Sequence, residues 1–336
     1  MTLKNDSSTL LGEVEKLFGH SFIVTGATGL IGSCLVRRLQ ELNRNQKLGL
    51  HITCVVRNVA KAKAMFGEAS DEISYYEYDF ASNEPFCPPH PADYLVHLAA
   101  PTASKFFVEQ PVETFCTTLF GTQQVLKYAK EQSEKLKGML YVSTLEMYGT
   151  VLDDSKPLTE DCQGYLDPMQ ARSSYPMAKR AAECLCHAYS KEHGVRVMTA
   201  RLAQTFGEGI TENDNRVFAQ FARSARADED IVLHTEGKLC RCYCYTADAV
   251  EAMLYILLFG EGGMAYNVAN EDTYISIRDM AEMVCREFGK NMKVRIELKE
   301  GMGYSPTTYL RLDTTRLKAL GWRPTHDLKE MFAAII

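Results

Sequence analysis

The segment Ser21–Gln40, SFIVTGATGLIGSCLVRRLQ, restricts what this chain can fold into more than any other stretch. A short β-leaning run, Phe22-Ile23-Val24-Thr25, leads into glycines at three-residue intervals, Gly26, Gly29 and Gly32. A helical pattern follows, with Leu30, Cys34, Leu35 and Leu39 on one face. Strand, glycine turn and helix in that order open a dinucleotide-binding βαβ unit. One glycine permits a sharp turn, one lets the backbone approach a pyrophosphate, and one lets helix and strand pack closely. The phosphates would then meet unpaired N–H groups at the positive end of the helix. Glycine-rich turns are common and most bind nothing; the strand before and the helix after distinguish this one from a plain structural turn.

Downstream, apolar strand patterns at His51–Val56, Ser74–Tyr78, Tyr94–Leu98, Met139–Ser143 and Val195–Leu202 alternate with helical patterns. The helices are expected at Val59–Phe66, Val112–Glu134 and Tyr175–His193, and the proline-rich PFCPPHP must be a loop. Alternating β and α predicts an α/β fold, a doubly wound parallel sheet of Rossmann type. Residues 21–204 would form this dinucleotide-binding domain, preceded at 1–20 by a polar tail and a short helix over Ser8–Leu17. A smaller, discontinuous substrate-binding region, 205–239 and 260–336, would close over the carboxyl edge of the sheet. Residues 240–259 read as strand then helix, returning to the main body.

A net charge of -6 with no basic run argues against nucleic acid and against an anionic membrane surface as partners. No apolar run approaches the roughly 18 residues a membrane span needs, and MTLKNDSSTL lacks the layout of a secretory signal. Eleven cysteines, an odd count, rule out complete internal pairing. Cys240, Cys242 and Cys244 alternate along a strand, and Cys184 and Cys186 point different ways from a helix. Neither set has metal-ligand spacing, so no metal is expected, and the cysteines read as small buried side chains in a reducing cytoplasm.

Tyr175 and Lys179 stand four apart, after Ser173-Ser174 and with Pro176 between them. A serine cap and a proline in the first turn mark a helix start, and this spacing puts both side chains on one face. An ammonium there would lower the phenol pKa, as a general base requires. At the end of the preceding strand, Thr144 is placed to hydrogen-bond a substrate hydroxyl or carbonyl, and Glu146 is a candidate acid or base. The plainer readings are a strand-end hydroxyl bonding its own turn and a solvated carboxylate.

With these residues, the chain resembles the extended short-chain dehydrogenases/reductases, specifically the NAD-dependent epimerase/dehydratase family that modifies nucleotide sugars. The markers are TGATGLIG at 25–32, Asp79-Phe80, HLAA at 97–100, GT at 121–122 and YVST at 141–144, followed by YPMAK at 175–179, RCYCYTADAV at 241–250 and LGWRP at 320–324. The resemblance implies that Gly26, Thr28, Gly29, Leu30, Ile31 and Gly32 hold the cofactor pyrophosphate. Asp79 and Phe80 would flank the adenine, and Leu98, Ala99, Ala100 and Thr118 would line the cofactor. Tyr175 would take a proton from a sugar hydroxyl as hydride leaves its carbon, with Thr144 assisting and Lys179 binding the nicotinamide ribose. Thr102, Gln204, Val217 and Arg241 would meet the substrate, Arg241 as a forked donor to its nucleotide or diphosphate. The resemblance also implies a homodimer built through the helices Val112–Glu134 and Tyr175–His193.

Thr144-Leu145-Glu146 is similar to the Thr-x-Glu of UDP-glucuronate decarboxylases and GDP-mannose 4,6-dehydratases, and His97–Thr122 and Asn215-Arg216-Val217 lean toward the decarboxylase branch. Three positions depart from the pattern: Leu145 replaces a serine, and Gln204 and Thr118 replace asparagines. A fourth departure is Arg57, at the end of the second strand, where NAD-binding members carry an acidic residue. An arginine suits a 2′-phosphate, hence NADP, and equally suits stacking on adenine with NAD bound. The reading is therefore a nucleotide-sugar decarboxylase, epimerase or dehydratase that starts by C4 oxidation. The alternatives are a net NADPH-dependent reductase of a nucleotide-linked carbonyl compound and a catalytically silent cofactor binder, which retention of Tyr175 and Lys179 argues against.

Overall fold

A computed structural model describes residues 14–82, 84–299 and 307–336. Its centre is a sheet of seven parallel strands: β1 (Ser21–Thr25), β2 (His51–Val56), β3 (Ile73–Glu77), β4 (Tyr94–His97), β5 (Gly138–Thr144), β6 (Val197–Leu202) and β10 (Ala265–Val268). The spatial order is β3-β2-β1-β4-β5-β6-β10. Every residue of β4 and β6, and all but one of β1, β2 and β5, is buried, as expected of strands covered on both faces. The order reverses between β1 and β4, which makes the space beyond their carboxyl ends the natural ligand crevice.

Helices α1 (Leu30–Gln46) and α7 (Thr246–Phe259) pack together on one face of the sheet, over a core that includes Phe22, Val24, Leu35, Leu140 and Leu254. Helices α4 (Pro111–Glu131) and α5 (Ser174–His193) pair on the other, over Ile23, Leu95, Val125 and Tyr141. α2 (Val59–Phe66) links β2 to β3, and α3 (Ser104–Glu109) precedes α4.

The rest of the chain builds a second, smaller layer. Its sheet has β9 (Cys240–Tyr245) at the centre, flanked by β11 (Asn270–Ser276) on one side and by β7 (Gln204–Phe206) and β13 (Tyr309–Leu310) on the other. Strands β8 (Ile231–Leu233) and β12 (Val294–Ile296) pair separately. α6 (Val217–Ala227), α8 (Ile277–Phe288) and α10 (Leu328–Ala333) enclose a third core of Phe206, Phe218, Tyr243, Met280 and Phe332. α9 (Thr315–Ala319) leads to Trp322, whose indole N–H donates to the Asp248 carbonyl at 3.0 Å. The LGWRP marker is thus an anchor that ties the carboxyl-terminal segment to α7.

Several expectations need correction. The strand Cys240–Tyr245 belongs to the small sheet, and only α7 returns to the main body. β10, expected in the second region, is the seventh strand of the main sheet, beside β6. The helix expected at Val112–Glu134 runs from Pro111 to Glu131, and α3, for which no helix was expected, precedes it. Of the expected helix Ser8–Leu17, only Val14–Leu17 lies within the described residues, as a 3-10 turn. All eleven cysteines are free thiols. Among the described residues no helix is long and apolar enough to cross a membrane, and no group of three or more His, Cys, Asp or Glu side chains is placed to hold a metal.

Candidate active site

β1 delivers the chain to Gly26, which has φ +65°, a left-handed conformation that favours glycine. A Cβ at Gly26 would come within 3.0 Å of the Ala99 nitrogen, and one at Gly32 within 2.3 Å of the Gly26 carbonyl oxygen. The two glycines therefore permit close packing of β1 against the end of β4 and against α1. Gly29 is the N-cap of α1, with no capping side chain and no acidic residue in the first turn, so the N–H groups there face an anion without competition. Thr28 and Leu30 are half-buried around this cradle and Ile31 packs against the core.

The ends of β1 and β4 are also tied by side chains. Thr25 Oγ1 accepts from the Leu98 and Ala99 N–H groups, each at 3.1 Å, and lies 2.8 Å from His97 Nδ1. With both lone pairs engaged, the Thr25 hydroxyl must donate to Nδ1, which puts the His97 proton on Nε2. Burial, helped by the Lys179 charge, pushes the His97 pKa down to about 3, so the ring is neutral. Leu98, Ala99 and Ala100 emerge from this junction half-exposed, beside the glycine turn.

The reacting end is built by β5 and α5. Thr144 caps the 3-10 turn Leu145–Tyr148, accepting from the Glu146 N–H at 3.3 Å. Its hydroxyl also lies close enough to the Tyr175 phenol to lower that group's pKa. Lys179 Nζ donates to the Val142 carbonyl at 2.8 Å and sits 5.9 Å from the centre of the Tyr175 ring. Tyr175 and Lys179 thus share one face of α5, as their spacing required, with Thr144 close by at the end of β5.

The electrostatics differ from expectation. Burial, reinforced by the Glu146 charge, raises the Tyr175 pKa well above the ordinary phenol value, while the nearby Thr144 hydroxyl and the Arg172 charge pull it down. Lys179 is not among these influences; its ammonium is turned onto the Val142 carbonyl, and its own pKa is lowered by burial to about 8. The expected serine cap is absent too: Ser173 makes no capping hydrogen bond, and Ser174 Oγ donates instead to the Phe107 carbonyl at 3.1 Å.

Two residues that sequence reasoning missed complete this end. Arg172 Nη2 donates to the Glu146 carboxylate at 2.7 Å, so Glu146 is an ion-paired group, not a freely solvated one. Phe107 of α3 stacks on Tyr175, ring centres 4.2 Å apart and planes 6° from parallel, and the Arg172 guanidinium lies over the other side at 4.8 Å from the Phe107 centre. Neither has a local signal, because their partners are distant in sequence.

The remaining expected residues lie around this centre. Arg57 is exposed just beyond β2. Asp79 is exposed, its carboxylate accepting from the Ala81 N–H at 3.0 Å. The Phe80 ring is buried against Gly121 and 5.2 Å from the His97 ring, so it supports the crevice from within. Thr118 is buried in α4, its hydroxyl without a hydrogen-bond partner. Thr102 is exposed in the loop before α3. Gln204 opens β7 and pairs with Tyr243, Val217 opens α6, and Arg241 on β9 has an enclosed Nε with no hydrogen-bond partner. These last three belong to the smaller layer.

A dinucleotide fits these residues: the glycine cradle admits backbone-close phosphates, the α1 amides supply donors, and Thr118 offers an orphaned buried hydroxyl.

Comparison with known proteins identifies the family. The sequence model of the NAD dependent epimerase/dehydratase family matches residues 22–269. UDP-glucuronic acid decarboxylase 6 of Arabidopsis thaliana is 30% identical over 309 residues, covering 92% of this chain and 85% of that protein. UDP-glucuronic acid decarboxylase 1 of Danio rerio is 26% identical over 315 residues, covering 92% and 70%. Among solved structures, the UDP-N-acetylglucosamine 4-epimerase of Methanobrevibacter ruminantium in complex with UDP-N-acetylmuramic acid superposes with a TM-score of 0.78 at 18% identity, covering 95% of this chain and 97% of that one. The UDP-glucose 4-epimerase of Thermus thermophilus in complex with NAD gives 0.75 at 21% identity, covering 94% and 97%. These two share the fold.

Proposed function

Since the chain belongs to the NAD dependent epimerase/dehydratase family, we propose that it modifies a nucleotide-linked sugar, beginning by oxidation at C4, and that its substrate is UDP-glucuronate. The observation that carries the proposal is the Tyr175 phenol, close to Thr144 and on one face of its helix with Lys179, at the sheet edge that also holds the glycine cradle.

Gly26, Thr28, Gly29, Leu30, Ile31 and Gly32 would hold the cofactor pyrophosphate, Arg57 and Asp79 its adenosine end, and Leu98–Ala100, Thr118 and Lys179 its nicotinamide end. When bound, NAD⁺ supplies the hydride acceptor and a positive charge that favours the tyrosinate. Tyr175 takes the proton of the C4 hydroxyl, and Thr144 orients that hydroxyl through its own hydrogen bond. With C4 a ketone, the C5 carboxylate is β to a carbonyl. The C5–C6 bond then breaks, its electron pair passes into the ketone as an enolate, and CO₂ departs. A proton from water, passed at the Glu146–Arg172 pair, would go to C5, and as the hydride comes back to C4 Tyr175 would return its proton to the C4 oxygen.

The Arabidopsis and Danio relatives support the uronate assignment. NAD rather than NADP is the cofactor we favour for internal oxidation and reduction of one substrate; Arg57 is the feature that suits NADP. We further place the protein in a reducing cytoplasm, in keeping with its free thiols, and as a homodimer. The test is incubation of the purified protein with UDP-glucuronate, following UDP-pentose and CO₂ and identifying the copurified dinucleotide. UDP-pentose with retained NAD⁺ supports the proposal. No turnover removes the substrate assignment, and stoichiometric NADPH consumption with a nucleotide-linked ketone replaces it with the reductase.

A further inference from the structure

Beneath the Tyr175–Lys179 pair lies a buried ionic network for which the reaction above has no use. Glu183 is one turn beyond Lys179 on the same face of α5 and is buried. Its Oε1 accepts from the Ser143 hydroxyl, and its Oε2 accepts from Arg201 Nε at 2.9 Å and Nη2 at 2.8 Å. Arg201 on β6 also donates to the Tyr148 hydroxyl at 3.0 Å and the Glu160 carbonyl at 2.6 Å. Tyr148 in turn donates to Asn267 Oδ1 on β10 at 2.7 Å. Stability alone is a poor reason for such a cluster, since desolvating two charges costs about as much as their attraction returns.

Its position gives a better reason. Two consecutive residues at the end of β5 are held by two successive turns of α5, Val142 by Lys179 and Ser143 by Glu183, and the next residue, Thr144, lies close to Tyr175 one turn earlier. We propose that Glu183 is a positioning residue for the Tyr175–Lys179 pair, locking the end of β5 against α5 and holding a carboxylate one turn from the Lys179 ammonium. The proposal rests on the catalytic reading of that pair. The titratable groups facing Lys179 are Tyr175, Glu183 and Cys186 from α5, Tyr141 from β5 and His97 from β4. His97 is neutral and burial pushes the Cys186 thiol and the Tyr141 phenol up, so Glu183 is the carboxylate among them. Burial lowers Lys179 to about 8 and Glu183 opposes that fall.

The test is a side-chain NMR titration of Lys179 in the full-length holoprotein, using ¹³C-labelled lysine assigned with a Lys179→Arg variant. Glu183→Gln should lower the Lys179 midpoint by about one pH unit, and the alkaline limb of kcat should move down with it. A midpoint and pH profile unchanged in folded Glu183→Gln would overturn the proposal. If that variant does not fold, Glu183→Leu/Arg201→Met removes both charges and leaves none unpaired; the midpoint should fall there too, and an unmoved midpoint again overturns the proposal. The titration needs no substrate, so failure of the UDP-glucuronate assignment leaves it standing.

Discussion

In the proposed reaction the Tyr175 phenol must lose a proton in surroundings that hold it back, since burial and the Glu146 charge both favour the neutral form. Its help comes from Thr144 and Arg172 in the protein, with the rest due from the bound nicotinamide. Tyr175→Phe is therefore expected to lower kcat by about 10²–10⁴-fold, the range for losing one positioned acid–base group. Bound dinucleotide, measured by release on denaturation, should persist, because the cradle and Lys179 are intact. Arg57 yields a second prediction at this scale. If it meets a 2′-phosphate, Arg57→Glu should weaken NADP binding against NAD by about tenfold or more, the worth of one charge-assisted contact. Fluorescence titration of both dinucleotides reads this, and an unchanged ratio places Arg57 against adenine instead. Tyr175 and Lys179 were legible in the sequence because helix geometry alone brings them together. The Arg172–Glu146 pair spans 26 residues, and Phe107 reaches Tyr175 from another helix, so only the fold creates those contacts.

The glycine turn was readable as an element because its constraint is local: a Cβ at Gly32 would sit 2.3 Å from a backbone oxygen that has nowhere to go. Gly32→Ala should destabilise the protein by about 1–3 kcal/mol, as overpacking does, and abolish dinucleotide retention; urea unfolding and cofactor content measure the two effects. Other elements misled. β9 buries Cys242 and Cys244 against the main core and Tyr243 and Tyr245 in the third core, so it reads like a strand of the parallel sheet although it sits outside it. β10, four residues after a glycine-rich break, is too short to announce itself, as is α3 with six. The carboxyl-terminal anchor carries a pH dependence of its own. Asp248 accepts from Thr325 N–H at 2.9 Å, Thr325 Oγ1 at 2.6 Å and His326 N–H at 3.1 Å, and its carboxylate raises the His326 pKa. A histidine raised on folding contributes stability that is full below its unfolded pKa and is lost as pH rises through the folded value. The urea midpoint should fall across that window in the parent and less so in His326→Gln.

For the whole molecule, the open question is what covers the outer side of the α3–α4 segment. Val112, 75% exposed, and Phe120, 55% exposed, fall at four-residue steps with Cys116 along one stripe of α4, and Val108 of α3 is exposed beside them. An apolar stripe on a helix that packs inward against α5 is the kind of surface a second copy covers. A stable dimer would bury about 800 Å² on each partner, and Phe120→Glu would place a charge within it. Sedimentation should then show a dimer for the parent and a monomer for the variant. Dissociation should also reach the site, because α3 carries the Phe107 ring stacked on Tyr175 and the carbonyl that accepts from Ser174. With α3 released, kcat should fall while dinucleotide content holds, since the cradle is formed by β1, α1 and the end of β4. A Phe120→Glu protein whose mass equals that of the parent would show that this stripe is not the dimer interface.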